Sequence, residues 1–167
     1  MTRQMTPEFT EGLIALLPNL RRYGLSLARR PDLAEDLVQI TVERALLNHA
    51  AFDPGTRMEP WLFRILRNAF IDMTRRDRTR GTGIEISEHP DILSHDPAAG
   101  LEAGLMLKSA LEAMAQLKPE HQDVLHLICI EELSYAEAAS VLDLPIGTVM
   151  SRLARARLAL AEGLGIK

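Results

Sequence analysis

The sequence is poor in three features that define other classes of protein. Its 167 residues contain one cysteine and 4% aromatic residues, and no apolar run approaches the ~18 residues of a membrane span. A single cysteine excludes a disulfide scaffold within the chain and fits a reducing compartment. The first residues lack a basic segment followed by an apolar stretch and a cleavage site. We therefore expect no signal peptide, no membrane insertion and a cytoplasmic location.

Apolar residues at helical spacing run through most of the chain. Hydrophobic residues of all types make up 47% of the sequence. The low aromatic content favours helices. Periodicity fails between Gly81 and Gly100, where Gly, Pro, Ser and acids are concentrated. We predict an all-α protein with two small helical domains, residues 1–80 and 101–167, joined by a flexible linker at 81–100. Cys129 lies in the apolar run VLHLICI and is predicted to be buried.

Charges are segregated along the chain, and the formal net charge of −4 hides this. Residues 61–80 carry six Arg against two Asp, and residues 147–167 carry three Arg and one Lys against one Glu. Residues 84–137 carry eleven acids against two Lys. A phosphate senses the charge within a Debye length of ~10 Å, so the two basic segments are candidates for nucleic-acid binding.

The segment from Ser134 to Leu160 has the pattern of a helix-turn-helix. Ser134 and Glu137 form a capping box that starts a short helix over 135–142. Asp143 tolerates the left-handed backbone of a tight turn, and Pro145 suits the first turn of the next helix. That second helix has a stripe predicted to be buried: Val149, Leu153, Ala156, Leu160. Its opposite face is polar and basic: Thr148, Ser151, Arg152, Arg155, with Ala159.

Two readings of this segment stay open on the residues alone. A second helix that presents Ser and Arg outward suits the DNA major groove. The same pattern is also found in an ordinary helical hairpin with a solvated basic face.

A third helix is predicted from Pro31 over PDLAEDLVQITVERALLNH. One side is apolar, and the other carries acids and an amide at helical spacing: Asp32, Glu35, Asp36, Gln39, Glu43. One interpretation of this stripe is a solvated face, because the helix dipole favours acids near the start of a helix. A docking face for a basic partner explains the stripe equally well.

A loop, AFDPGTRMEP, precedes a long helix that we expect to begin after Pro60, WLFRILRNAFIDMTRRDRTR. Its predicted buried stripe is Trp61, Leu62, Ile65, Leu66, Ala69, Phe70, Met73. Its outer face is predicted to be Arg64, Arg67, Asn68, Asp72, Arg75, Arg76. Arginines beside aromatic residues suit single-stranded DNA. Because Trp61 and Phe70 fall on the apolar stripe, the Arg face and the loop are the better candidates for contact.

Three motif blocks resemble one known family. LPIGTVMSRLARAR is similar to the recognition helix of region 4 in extracytoplasmic-function (ECF, group IV) bacterial sigma factors. PDLAEDLVQITVERA and FDPGTRMEPWLFRILRNAFIDMTRR resemble region 2 of the same family. The resemblance covers about residues 10–80 and 105–160, in the family's order.

The resemblance implies an alternative sigma factor that directs promoter-specific initiation, without catalytic residues, metal or cofactor. Expected partners are core RNA polymerase, through the clamp helices of its largest subunit, promoter DNA and an anti-sigma factor. The residues implied to bind polymerase are Asp32, Glu35, Asp36, Leu37, Gln39, Glu43. Those implied to bind the melted −10 strand are Phe52, Asp53, Arg57, Arg64, Arg67, Asn68, Arg75, Arg76, with a base pocket built from the loop 52–59 and Asn68. Those implied to bind the −35 duplex are Thr148, Met150, Ser151, Arg152, Ala154, Arg155.

Two positions depart from the family and three rival functions remain. The family commonly has an acid where this chain has Ile40, and Lys or Arg where it has Met150.

A sigma-like decoy that only binds an anti-sigma factor is one rival, and an operator-binding regulator is another. The third is a hydrolase or metal site using His89, Asp91, His95 and Asp96, for which the sequence offers no fixed ligand pair.

Overall fold

The computed structural model describes residues 3–81 and 100–166, and these residues form helices with no β-strand among them. The prediction of an all-α fold is confirmed. The predicted linker at 81–100 lies outside the described residues apart from its two end glycines, and so do the four His and Asp residues of the rival metal site. The helices are α1 Pro7–Ala15, α2 Leu17–Ala28, α3 Pro31–Leu47, α4 Met58–Arg80, α5 Leu101–Ala115, α6 Pro119–Leu125, α7 Tyr135–Leu142 and α8 Ile146–Gly163.

Proline marks most of the helix starts. Prolines stand in the first turn of α1, α2, α3 and α6, where the missing N–H has no intrahelical partner to lose. Thr6 caps α1 by accepting a 3.2 Å hydrogen bond from the Phe9 N–H. Helix α4 begins at Met58, earlier than predicted, because a proline in the third position of a helix is still within the turn whose N–H groups are unpaired.

The first half of the protein packs α2, α3 and α4 around one core. Its largest fully buried side chains include Leu20, Tyr23, Leu37, Leu62 and Phe63. Phe63 was not predicted on the buried stripe of α4, and it lies there because α2 covers a wider arc of that helix. Other members of the predicted stripe are partly buried against the same core: Trp61, Ile65, Phe70, Met73.

The second half packs α6, α7 and α8 around Val124, Leu127, Val141, Val149 and Leu153. Helix α5 lies against α8, where Gly163 approaches Ala113. Helix α5 has no buried residue, and it leaves apolar side chains exposed: Leu101, Leu105, Met106, Leu107. It is therefore the least covered helix among the described residues.

The two halves contact each other through α2 and α6 and through α4 and α7. Their buried apolar residues belong to one connected cluster. The sequence left open whether the predicted domains touch, and in this structure they do. Every fully buried side-chain nitrogen and oxygen among the described residues has a hydrogen-bond partner, as expected of a native interior.

A π-helical turn at His126–Ile130 continues α6. The wider turn shifts the side chains that follow it relative to an α-helix. His126 and Leu127 are buried, whereas Cys129 is exposed. The prediction that Cys129 is buried is therefore wrong, because it rested on the apolar run alone, and the last residues of that run lie at the surface.

Candidate nucleic-acid and polymerase interfaces

The helix-turn-helix forms as its sequence predicts. The Ser134 hydroxyl accepts a 3.1 Å hydrogen bond from the Glu137 N–H, and the Glu137 carboxylate accepts a 2.9 Å bond from the Ser134 N–H. Both halves of the capping box are thus present. Asp143 ends α7 with φ 54° and ψ 50°, and the N–H of Leu144 then bonds to the carbonyl of Ala139 at 3.0 Å.

Helix α8 buries one stripe and exposes the other face. Val149, Leu153 and Ala156 are buried, and Leu160 is partly buried. The predicted contact residues of the other face divide by exposure: Met150, Ser151, Ala154, Arg155 are exposed, and Thr148 and Arg152 are half-buried. At the start of α8, an open concavity of about 490 Å³ is lined by Pro145, Gly147, Thr148, Ser151, Arg152, Arg155 and, from α6, Glu120. The structure thus gathers the polar and basic side chains on a concave surface of the second helix.

Helix α4 presents most of its arginines to solvent. Arg64, Arg75 and Arg76 are exposed, as is Asn68, and none of these arginines has an ion pair among the described residues. Arg67 differs, because its Nε lies 3.1 Å from the Asp123 carboxylate and its side chain is only 24% exposed. The predicted outer face therefore holds for three arginines and not for the fourth.

The loop before α4 has a defined shape. The Asp53 carboxylate accepts a 2.9 Å hydrogen bond from the Gly55 N–H, and the Asp53 carbonyl accepts one from the Thr56 N–H at 3.0 Å. Such a turn is typical of Asp in tight loops. Arg57 is exposed at the end of the loop and pairs with Glu137 of α7 at 2.8 Å.

Phe52 is buried at the base of this loop. It is 8% exposed, and its ring lies 5.1 Å from that of Trp61 and 6.0 Å from that of Phe9, centre to centre. A buried ring has no face free for stacking on a base, so direct contact through the Phe52 ring does not fit this structure. The Phe52 ring instead packs against Trp61 and against Phe9 of α1, which covers it.

A cavity of about 290 Å³ lies beside the loop. Loop residues line it together with residues from the N-terminal segment: Phe52, Pro54, Thr56, Met58, Arg3, Thr6, Glu8, Phe9, His49. Asn68, which the resemblance implied for the base pocket, is not in this lining. Sequence reasoning missed the N-terminal contribution. The only sequence signal for this contribution is the presence of Phe9 and His49, two ring-bearing residues in a chain with few aromatic residues.

The acidic face of α3 is exposed as predicted, but one other residue implied to bind polymerase is not. Asp32, Glu35, Asp36, Gln39 and Glu43 are exposed, whereas Leu37 is fully buried. Leu37 therefore belongs to the core and cannot contact a partner here, because its position on α3 faces α2 and α4. The prediction for this residue is at odds with the structure.

Two of these acids already have partners in the chain. A hydrogen bond from Arg30 lowers the pKa of Asp32, and Glu35 pairs with Arg21 of α2 at 3.1 Å. Asp36 and Glu43 have no ion pair among the described residues. They are the charges of this face most available to a basic partner.

A buried polar contact joins α2 and α4 to α6. The Tyr23 hydroxyl donates a 2.7 Å hydrogen bond to one oxygen of Asp123, and Arg67 bonds to the other. Burial, reinforced by the negative charge of Asp123, raises the pKa of Tyr23 well above its usual value. The phenol therefore stays protonated and acts as a donor at neutral pH.

Glu131 forms a second polar contact between the halves. It accepts hydrogen bonds from Arg22 at 3.2 Å and Asn19 at 2.9 Å of α2, and its oxygen lies 3.1 Å from a ring nitrogen of His126. Burial opposes ionisation, but the hydrogen bonds from His126, Arg22 and Asn19 outweigh it and lower the pKa of Glu131. The carboxylate is thus held in its charged form.

Sequence reasoning did not find these polar contacts. Asp123 and His126 interrupt the apolar run QDVLHLICI at positions that face inward. A charged residue at a core position needs a partner, and that was the available signal. The partners of Asp123 come from α2 and α4, 100 and 56 residues earlier in the chain, so helical periodicity does not identify them. The partner of His126 is Glu131, five residues later.

Comparison with known proteins identifies two segments. Residues 13–80 match the family model described as Sigma-70 region 2, and residues 107–160 match Sigma-70, region 4. With the helix-turn-helix and the basic face of α4, these matches place the chain among the transcription initiation factors of the sigma-70 type. The name region 2 is used below for 13–80, and region 4 for 107–160.

Comparison with individual relatives identifies the group of sigma factors to which the chain belongs. The chain is 34% identical over 153 residues to the ECF RNA polymerase sigma factor EcfG of Rhodopseudomonas palustris (strain TIE-1), with 92% of this chain and 83% of the relative covered. It is 31% identical to the ECF RNA polymerase sigma factor SigM of Bacillus subtilis (strain 168), covering 81% and 82%. The chain belongs to the family of ECF RNA polymerase sigma factors, which confirms the resemblance.

Two solved structures share its fold. The sigma factor RpoE of Bartonella quintana, solved in complex with the anti-sigma factor NepR, superposes with a TM-score of 0.79 at 32% identity, covering 97% of this chain and 99% of that one. CnrH, solved with the cytosolic domain of CnrY, gives a TM-score of 0.65 at 25% identity, covering 94% and 87%. None of the described helices in our structure is long and apolar enough to cross a membrane.

Proposed function

We propose that this protein is an alternative sigma factor that binds core RNA polymerase and directs initiation at specific promoters. The observation that carries the proposal is that α4 and α8 expose basic side chains while α3 exposes acidic ones. Residues 1–80 form the domain that contains region 2, residues 101–167 form the domain that contains region 4, and residues 81–100 form the linker. A linker of this kind raises the effective concentration of the second domain once the first is bound.

Region 4 reads the −35 duplex through α8. Met150, Ser151, Ala154 and Arg155 lie nearest to bases and phosphates, flanked by Thr148 and Arg152. The support is the exposed concave surface at the start of the helix, since helix N-termini and arginines favour phosphate. Met150 stands where the family commonly carries a cation, so the salt dependence of binding is expected to be lower by about one phosphate contact.

Region 2 captures the melted −10 strand. Arg64, Asn68, Arg75 and Arg76 of α4, with Arg57 and Asp53 of the loop, form the binding face, and Arg67 joins them when it is released from Asp123. Phe52 supports the loop from below. The exposed arginines of α4 suit a phosphate backbone, and the ordered loop suits a base already unstacked by melting.

Core polymerase docks on α3. Asp36 and Glu43 carry the free negative charge of this face, with Asp32, Glu35 and Gln39 beside them, and the clamp helices of the largest subunit are the partner. The chemistry of RNA synthesis belongs to the polymerase, so the sigma factor itself is not an enzyme and holds no metal or cofactor. Its place is the cytoplasm, where polymerase and promoter DNA meet.

An anti-sigma factor controls this activity. The support is that two proteins of the same fold, RpoE of Bartonella quintana and CnrH, were solved with an anti-sigma factor and with the cytosolic domain of CnrY. The exposed apolar residues of α5 add a surface on which a partner can gain binding energy by burial.

In vitro transcription tests the proposal. Purified protein is added to sigma-free core polymerase with promoter fragments from its own genomic neighbourhood, and a specific run-off product is expected. Absence of binding to both core polymerase and duplex DNA would favour the decoy function. Binding to duplex DNA without binding to core polymerase would favour an operator-binding regulator.

A further inference from the structure

A cavity of about 380 Å³ is lined by residues of α2, α4, α6, α7 and α8 and by Arg29, which follows α2. Only Arg67 and Arg152 of its lining belong to the proposed DNA faces, and no residue of it belongs to the proposed polymerase face. Its volume lies within the roughly 300–1,000 Å³ of pockets that hold small ligands. The cavity is therefore large enough for one small molecule, and the chemistry of the lining decides which class it takes.

Four arginines line the cavity, and acids of the same lining neutralise two of them. The Arg67 Nε lies 3.1 Å from the Asp123 carboxylate. A guanidinium nitrogen of Arg152 lies 4.0 Å from the Glu120 carboxylate. These pairs account for both acids of the lining, so the cavity keeps the charge of its other two arginines.

Arg29 and Arg78 supply this remaining positive charge. Neither has an ion pair among residues 3–81 and 100–166. Two guanidinium groups carry two positive charges, which matches the charge of about −1.5 to −2 on a phosphate monoester at neutral pH. Guanidinium groups also bind phosphate oxygens through paired N–H donors. The unpaired charge of the cavity thus suits one terminal phosphate.

The backbone of Arg29 is a second indication that its side chain has a role. Arg29 ends α2 with φ 56° and ψ 16°, and its N–H bonds to the carbonyl of Leu25 at 2.9 Å. Glycine and asparagine adopt this left-handed conformation at the end of a helix more readily than arginine does. A charged side chain at a strained backbone position points to a function for its guanidinium group.

Apolar side chains form another part of the lining: Leu27, Phe70, Ile71, Leu142. Phe70 is only partly buried, so its ring has surface that a ligand can cover. A ring on the ligand gains binding free energy by removing this apolar surface from water. A phosphate alone leaves that part of the cavity unfilled, so the lining suits a ligand that carries both groups.

We propose that the cavity binds a small phosphate ester with an aromatic ring, of which a nucleoside monophosphate is the simplest biological example. The phosphate lies between Arg29 and Arg78, and the ring covers Phe70. The hydroxyl of Ser26 also lines the cavity and can bond to a hydroxyl of the ligand. The inference goes beyond the proposed function, because binding of this ligand requires neither polymerase nor promoter DNA.

The test measures binding of adenosine monophosphate (AMP) to the full chain by isothermal titration calorimetry. The test variant combines Arg29→Asn with Arg78→Gln. Asparagine tolerates the left-handed backbone, so this variant removes both charges and keeps the turn. The matched control, Arg80→Gln with Arg157→Gln, removes two charges from exposed sites outside the lining. Circular dichroism checks that all three proteins keep their helices.

Wild type and control are expected to bind AMP with a Kd in the micromolar range, as for a ligand of this size. The test variant should bind at least about tenfold more weakly, because it loses charge-assisted hydrogen bonds to the phosphate. Adenosine and inorganic phosphate should each bind wild type at least about tenfold more weakly than AMP, since each lacks one of the two groups. Saturating AMP should raise the Tm of wild type and control, but not that of the test variant.

Four results would overturn the inference. The first is absence of AMP binding to wild type at millimolar concentration. Equal affinity of wild type and test variant is the second, because AMP then binds elsewhere on the chain. If inorganic phosphate binds as tightly as AMP, the cavity takes an anion and the assignment to a ring-bearing ester is wrong. If the test variant loses binding to single-stranded DNA of random sequence and AMP binds none of the proteins, Arg29 and Arg78 belong to the DNA surface.

Discussion

At the scale of single residues, Asp123 decides how the two halves meet. It sits in an apolar run, yet it bonds both Tyr23 and Arg67 from distant helices. An acid at a core position is costly unless its charge is satisfied. The pair of donors therefore stabilises one arrangement of α2 and α4 against α6 and disfavours others that would leave the carboxylate buried and alone.

Tyr23→Phe is expected to destabilise the fold by about 1–3 kcal/mol, because it leaves one buried oxygen of Asp123 without a donor. The rings of Phe63 and His126 keep their contacts with the phenyl group, so packing is retained. Equilibrium unfolding in urea measures the loss. Tyr135→Phe is the control, since Tyr135 is exposed, and a loss of equal size in both variants would contradict the role given to the Tyr23 hydroxyl.

At the scale of helices, local sequence rules explain most of what is observed. The capping box, the left-handed Asp143 and the apolar stripe of α8 all form as expected. The failures occur where a neighbouring element intervenes. Leu37 and Phe52 were assigned to contacts with partners, and both are buried because α2, α4 and α1 cover them.

Arg155→Glu on α8 is expected to weaken binding to −35 duplex DNA at least about fivefold, since an arginine contact to a base or phosphate contributes roughly 1–3 kcal/mol. Co-elution with core polymerase should be unchanged. Arg157→Glu is the matched control, because it reverses the same charge on another side of the helix. Equal binding isotherms for wild type and Arg155→Glu would remove the assignment of α8 to DNA.

Asp36→Arg on α3 is expected to weaken binding to core polymerase by about 1 kcal/mol, or roughly fivefold, as for an exposed ion pair at an interface. Asp36 is exposed, so helix content should not change. Glu11→Arg on α1 provides an exposed charge reversal outside the proposed face. If both variants co-elute with core polymerase as wild type does, α3 is not the docking face.

At the scale of the whole molecule, polar contacts rather than apolar ones make the packing of the two halves depend on pH. Glu131 is buried and charged between Arg22, Asn19 and His126. The hydrogen bonds from His126, Arg22 and Asn19 hold the pKa of its carboxyl below the usual value of a glutamate, although burial opposes them. A carboxylate with a lowered folded-state pKa stabilises the folded state above its unfolded pKa, and this stabilisation is lost as pH falls through the folded value.

The free energy of unfolding is therefore expected to fall below about pH 4.5 more steeply in wild type than in Glu131→Gln. At neutral pH the variant should be the less stable protein, because the amide cannot replace the charge that Arg22 pairs with. Urea unfolding between neutral and acidic pH measures both effects. Glu132→Gln, at an exposed neighbour, should follow wild type, and parallel curves for wild type and Glu131→Gln would contradict the assignment.

The sequence by itself determined the helices, their starts and the position of the helix-turn-helix. These features depend on interactions within a few residues, such as caps, prolines in first turns and 3.6-residue periodicity. It also indicated which faces of α3, α4 and α8 carry charge, because a charged side chain on a helix surface is exposed by default.

Only the tertiary structure decided which of those charges are free. Arg67 and Arg57 read as exposed arginines, but Asp123 and Glu137 lie close to them in the folded chain. Such pairs join residues 56 and 80 positions apart, and no local pattern specifies them. They arise because burial of one connected apolar core brings the two halves together, and the charged groups at its edge must then find partners.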